Sequence, residues 1–103
     1  MKSDTQLATL FAAFAHPTRI AILRTLLICE PSGRQFGELS ESLEVSPSTL
    51  THHLREMENA GVLRREIRGR TTLLRLHVEA LNGAVTQLTA LCCADSRSRA
   101  DSD

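Results

Sequence analysis

Three side chains in this sequence are soft nucleophiles, and two of them are neighbours. Cys92 and Cys93 stand side by side in "TALCCADS", while Cys29 lies far upstream in "LLICEPSG". Adjacent thiols can chelate a soft ion, exchange with an oxidant or simply pack, and as thiolates they select thiophilic partners over hard cations. The four histidines, His16, His52, His53 and His77, are scattered and give no zinc-type spacing with the cysteines. Three cysteines without framework spacing argue against a disulfide scaffold.

A second group of chemically useful residues is polar and short. "VSPSTLTHHLRE" gathers Ser46, Ser48, Thr49, Thr51, His52 and Arg55 around one helix start. Serine and threonine hydroxyls there can meet phosphate oxygens or base edges, and Arg55 one turn later can reach a nucleic-acid backbone or a guanine. A capped, solvated helix surface would carry the same residue types. Neighbours on a helix project about 100° apart, so at most one of His52 and His53 points away from the body. His53, nearer the apolar face, reads as a packed histidine with a hydrogen-bonded ring.

A third group, "RGR" at Arg68, Gly69 and Arg70, is a glycine turn carrying two guanidiniums, suited to a minor groove or to clamping phosphate. Any exposed hairpin tip can also be charged for solubility alone. Arg64, Arg65 and Arg75 stay undivided between phosphate contacts and structural roles.

The elements that must position these groups follow from periodicity. Leu7, Leu10, Phe11 and Phe14 form an apolar stripe on a first helix capped by Ser3 or Asp4. Pro17 then opens a second helix with Ile20, Leu23, Leu26 and Leu27 on one face, ending near Cys29 before Pro31 and Gly33. Leu39, Leu43, Val45, Leu50, Leu54 and Met57 join a short helix near 38–43 to a helix from Pro47 towards Gly61, which is a helix-turn-helix. "VLRREIRGRTTLLRL" alternates as a β-hairpin. Leu81, Val85, Leu88 and Leu91 or Cys92 mark a last amphipathic helix that begins near Val78 and fades at the cysteine pair.

The expectation is an α+β, mainly α, winged helix-turn-helix with helices and strands in the order α-α-α-α-β-β-α. Residues 1–93 form the DNA-binding and dimerisation domain, and 94–103 form a disordered polar tail. The first and last helices are not needed to close the helix-turn-helix core, so their apolar stripes are the expected homodimer surface.

Composition narrows the function. A chain of 103 residues suits one domain with a core small enough to profit from oligomerisation. No run of about 18 apolar residues and no cleavage-site signature appear, so the expected setting is soluble and cytoplasmic with no membrane partner. Formal net charge is zero, but residues 47–76 carry six arginines against three glutamates, while 1–46 carry four basic and five acidic side chains and 77–103 two and four. That asymmetry suits a local anion-binding surface, although a solvated charged face would leave the same mark. No nucleophile elbow, phosphate loop or metal-ligand cluster is present, so no enzyme activity is expected.

"HPTRIAILRTL" and "GELSESLEVSPSTLTHHLREMENAGVLRREIRGRTTLLRL", with the overall length, resemble the ArsR/SmtB family of bacterial winged-helix repressors over roughly residues 5–93. The resemblance implies a homodimer on double-stranded operator DNA with inverted repeats, released when a metal, metalloid or oxidant is sensed. It places Ser48, Thr49, Thr51 and His52 on the base-contacting helix and Arg68, Gly69 and Arg70 on the wing. His16 departs from the commoner acidic residue before "PTR". The family's arsenic site in the first helix of the helix-turn-helix is missing from "FGELSESLE", and its zinc site on the last helix would find only Glu79 with His77.

Cys92 and Cys93 resemble an adjacent pair that some arsenic-responsive members carry near the end of the last helix. The implied inducer is a trivalent arsenical, with no obligatory cofactor. Arsenite has three positions to fill and a monomethyl arsenical two, so either Cys29 supplies a third thiolate or the site is a two-thiol one. The rival reading is a persulfide or thiol-redox sensor pairing Cys29 with Cys93, and a DNA-binding architectural protein without inducer is a third.

Overall fold

A computed structural model describes the backbone of residues 1–102 and the side chains of residues 1–94. The chain runs α1 (Asp4–Ala12), α2 (Pro17–Ile28), β1 (Arg34–Gln35), α3 (Phe36–Leu43), α4 (Pro47–Asn59), β2 (Leu63–Arg68), β3 (Thr71–Leu76) and α5 (Val78–Ser102). This is the expected winged helix with one strand more than the sequence suggested. Arg34 and Gln35 pair with Leu74 and Leu73, so the hairpin becomes a three-stranded antiparallel sheet in the order β1-β3-β2.

Local signals account for the helix starts. Ser3 and Gln6 form a reciprocal capping box on α1. His16 caps α2, its Nδ1 accepting from the Thr18 N–H at 3.1 Å, with Pro17 in the first turn where no amide partner is required. Ser46 and Pro47 repeat that arrangement on α4, where the Ser46 hydroxyl accepts from the Thr49 N–H at 3.3 Å. Between α3 and α4 the chain turns through Glu44 in the left-handed region, and the Ser40 hydroxyl donates to the Val45 carbonyl at 2.7 Å to hold the turn.

Two glycines are dictated by geometry. Gly69 takes φ +61° at the hairpin tip. Gly33 takes φ +79°, and a Cβ there would stand 2.5 Å from the Leu74 carbonyl oxygen, so β1 reaches β3 only through a residue without a side chain.

The core is one cluster. Leu10, Ile22, Leu26, Leu39, Leu50, Met57, Val62 and Leu74 are its largest fully buried members, drawn from α1 to α4 and the sheet. Leu7 and Leu10 of α1 and Leu26 of α2 are buried as their stripes require, but Phe11, Ile20 and Leu27 of the same stripes are exposed, and α2 buries Ile22 instead. No single helix among the described residues is long and apolar enough to cross a membrane.

Helix α5 departs from expectation. It runs from Val78 to Ser102, so Cys92 and Cys93 lie within it rather than at its end. Side chains past residue 94 are outside the described set, and the expected tail, 94–103, falls there. Among the described residues α5 fully buries Ala84, while Val85, Leu88 and Leu91 are exposed. Its tie to the other end of the chain is polar: Gln87 accepts from the Lys2 N–H at 3.1 Å and donates to the Lys2 carbonyl at 2.8 Å.

Candidate nucleic-acid interface and thiol site

Helix α4 presents its amino end outward because its other face is used up. Leu50, His53, Leu54 and Met57 are buried, which leaves Ser46, Ser48, Thr49, His52 and Arg55 exposed and Thr51 half-buried. The hydroxyls already share internal bonds. Ser46 donates to the Thr49 hydroxyl at 2.9 Å, and Thr51 donates to the Pro47 carbonyl at 2.8 Å, so Thr51 keeps acceptor capacity but not its proton. Ser48 shares a longer contact of 3.5 Å with the Ser46 hydroxyl, while His52 and Arg55 make no side-chain hydrogen bond among the described residues.

His53 has the packed position expected of it. It is 5% exposed, its Nδ1 accepts from Arg19 Nε at 3.1 Å, and its ring lies 4.5 Å from that of His16. Burial first, then the neighbouring charges of His16, Arg19 and His52, hold its pKa below the usual histidine range. The Arg19 contact ties α4 to α2, a link no sequence pattern marks.

The wing supplies the second surface. In the β2–β3 register Arg68 faces Thr71 and Arg64 faces Arg75, on one side of the sheet, while Arg65 faces Leu74 and Ile67 faces Thr72 on the other. Arg68, Gly69 and Arg70 are exposed at the tip, with Arg68 reaching Glu66 at 3.1 Å. Arg65 makes the tightest ion pair found among the described residues, donating through Nε and NH2 to both carboxylate oxygens of Glu58 at 3.0 Å. That bidentate bond holds the Glu58 carboxyl below the usual carboxylate range, ahead of an opposing effect of burial.

A sequence model described as a helix-turn-helix domain matches residues 14–66. The chain is 30% identical over 83 residues to the arsenical resistance operon repressor of Bacillus subtilis, covering 81% of this chain and 75% of that one. An ArsR-like transcriptional regulator from Rhodococcus sp. RHA1 superposes with a TM-score of 0.80 at 26% identity, over 93% of this chain and 88% of that one. The chain belongs to the ArsR family. Its relatives and fold are those of DNA-binding transcriptional regulators rather than enzymes. A homodimeric winged helix-turn-helix domain from Mycobacterium bovis shares the ArsR fold at 20% identity and a TM-score of 0.69, over 93% of this chain and 90% of that one. The helix-turn-helix match stops at Glu66, before the wing tip, α5 and the cysteine pair.

The thiols occupy two separate places. Cys92 and Cys93 are exposed on α5. Cys29 caps the carboxyl end of α2, half-buried, and its sulfur accepts from Arg34 NH1 at 3.5 Å. The Arg34 guanidinium is correspondingly held above its ordinary pKa, first by that bond. Among the described residues no three His, Cys, Asp or Glu side chains come together as a metal site, so Cys29 does not join Cys92 and Cys93 within one chain.

Proposed function

We propose that this ArsR-family regulator is a repressor that binds an inverted-repeat operator as a homodimer and leaves it when a trivalent arsenical closes on Cys92 and Cys93. The observation that carries the reading is the placement of Cys92. It continues the stripe Leu81, Val85, Leu88 at helical spacing, and Val85 and Leu88 stay 55% and 43% exposed. A second copy is the natural cover for that stripe. The thiols thus border the face that sets dimer geometry. The Mycobacterium bovis neighbour is described as homodimeric, and the Bacillus subtilis relative as a repressor of arsenical resistance.

Adjacent residues on a continuous helix diverge by about 100°. Two sulfurs of one α5 therefore close on one arsenic atom only if that turn of helix distorts, or if the partner supplies a thiolate. Either event changes how two α5 helices pack. Two recognition helices must meet half-sites about 34–36 Å apart, so a small change of dimer geometry lowers operator affinity, with coupling typically of about 1–3 kcal/mol.

The test is release of the reduced protein from DNA of its own promoter, followed by fluorescence anisotropy while arsenite, methylarsenite, zinc and a persulfide donor are titrated separately. Release by an arsenical near one equivalent per site, abolished in Cys92→Ser with Cys93→Ser, supports the reading. Release by persulfide alone supports a second one, in which Cys29 and Cys93 are the sensing pair. The Arg34 guanidinium favours that alternative by standing 3.5 Å from the sulfur of one of the two thiols.

A further inference from the structure

On the DNA-binding reading α4 and the wing meet DNA at different places, and a notch lies between them. It encloses about 240 Å³ and is lined by Phe36, Thr51, Leu54, Arg65, Thr72 and Leu74. Leu54 and Leu74 are buried and make an apolar floor. Arg65 and Thr72 stand on the rim because strand alternation puts both on the side of the sheet facing α4, whereas Arg64, next in the chain, points to the opposite side with Arg75.

Arg65 is held in place without being used up. Its Nε and NH2 bond to Glu58, while NH1 has no protein acceptor among the described residues, and the side chain is 43% exposed. A guanidinium has five N–H donors, so those two bonds leave three. Arg55 also acts on the Glu58 carboxylate, so that anion is shared between two cations.

We propose that this notch is a seat for one DNA backbone phosphate, with Arg65 as the charged donor and the Thr72 hydroxyl beside it, where the strand crosses from the groove read by α4 to the groove met by the wing. The proposal rests on the DNA-binding reading of α4 and the wing. Glu58 then couples the carboxyl end of α4 to β2 and partly neutralises the Arg65 charge that the seat uses.

A salt titration separates a phosphate seat from a structural strut. A fluorescein-labelled duplex of arbitrary sequence serves as the probe, because phosphate contacts do not depend on sequence, and affinity is followed between about 50 and 200 mM salt. Arg65→Gln lowers the slope of log affinity against log salt by about 0.9 for each bound protomer. Arg65→Lys, which keeps the charge, preserves the slope, and Arg64→Gln on the opposite face leaves it unchanged. Thr72→Val weakens binding a few-fold with the slope intact. Glu58→Gln is the decisive variant: it frees the guanidinium and removes an anion, so binding to the duplex is unchanged or tighter. Equal weakening by Arg65→Gln and Glu58→Gln, with the slope unaltered in both, would show that the pair is a strut and overturn the seat. Failure of the unsubstituted protein to bind any duplex would instead overturn the DNA-binding reading on which the seat depends.

Discussion

Helix α4 has 13 residues and buries Leu50, His53, Leu54 and Met57, whereas α5, with 25, fully buries Ala84 among its described residues and leaves Val85, Leu88 and Leu91 open. The shorter helix is fixed from several sides. Its cap is Ser46, its buried face meets the core, Arg19 holds His53 from α2, and Arg65 holds Glu58 from the sheet. Helix α5 leans on the body through Ala84, the half-buried Val78 and Leu81, and the paired bonds between Gln87 and Lys2. On the proposed function the contrast divides the labour between the two helices. A surface that reads DNA must be rigid within each chain, whereas a surface that transmits a signal is most useful where its packing depends on a partner and can be repacked at low cost.

The largest effect that tests this contrast is on stability. Leu50→Ala removes a fully buried side chain from α4 and is expected to cost about 2–5 kcal/mol by urea denaturation. Leu88→Ala on α5 should cost far less at protein concentrations low enough to keep the chain monomeric. Equal costs there would mean that α5 is anchored within its own chain. Next in size is assembly. Val85→Asp with Leu88→Asp places charges on the open stripe and should weaken dimerisation at least about tenfold in sedimentation equilibrium. An unchanged dissociation constant would move the dimer surface elsewhere.

What could be read beforehand divides along the same line. Helix α4 was legible because its determinants are local: a Ser-Pro start, apolar residues at three- and four-residue spacing, and a glycine after its end. The hairpin was legible from alternation around Gly69. Strand β1 was not, since two residues of no particular β character become a strand only by pairing with Leu73 and Leu74, far along the chain. The Glu58–Arg65 bond was hidden for a related reason. Helix periodicity ranks Glu58 and strand alternation ranks Arg65, but nothing in either pattern says that the turn at Gly61 brings them together. For the candidate site, the exposed polar positions of α4 and the wing tip followed from the helix and hairpin assignments. The engaged state of the Thr51 hydroxyl and the separation of Cys29 from the cysteine pair required coordinates. The fading apolar stripe suggested that α5 ends at Cys92 and Cys93, yet backbone hydrogen bonding continues a helix without needing an apolar face.

A smaller effect sharpens the account of α4's rigidity. Ser46→Ala removes the hydroxyl that accepts the Thr49 amide and is expected to lower stability by about 1 kcal/mol, read as a shift in the urea midpoint at constant slope. Because the same hydroxyl donates to Thr49, its loss also frees that side chain at the end of α4 proposed to meet DNA. The variant should therefore bind duplex DNA more weakly even where it is fully folded.

The smallest effect is one of pH, and it addresses the tie between α2 and α4. His53 is neutral in the folded chain, since its Nδ1 is the acceptor for Arg19 and its pKa is held down by burial and by the charges of His16, Arg19 and His52. Protonation would set an N–H against the Arg19 N–H and add a cation to that cluster. The unfolded chain, with an ordinary histidine near pH 6.5, binds this proton more readily than the folded one, so stability rises with pH across the interval between the two values. The contribution is therefore complete above about pH 6.5 and is lost as the pH falls through the lower folded value. His53→Gln keeps an acceptor for Arg19 and removes the titration. The difference between the unfolding free energies of the two proteins should then change between pH 7.5 and 5.5, with the unsubstituted protein losing more on acidification. A difference that stays constant over that range would mean that His53 takes up its proton as readily folded as unfolded, and that the α2–α4 tie survives with a charged ring.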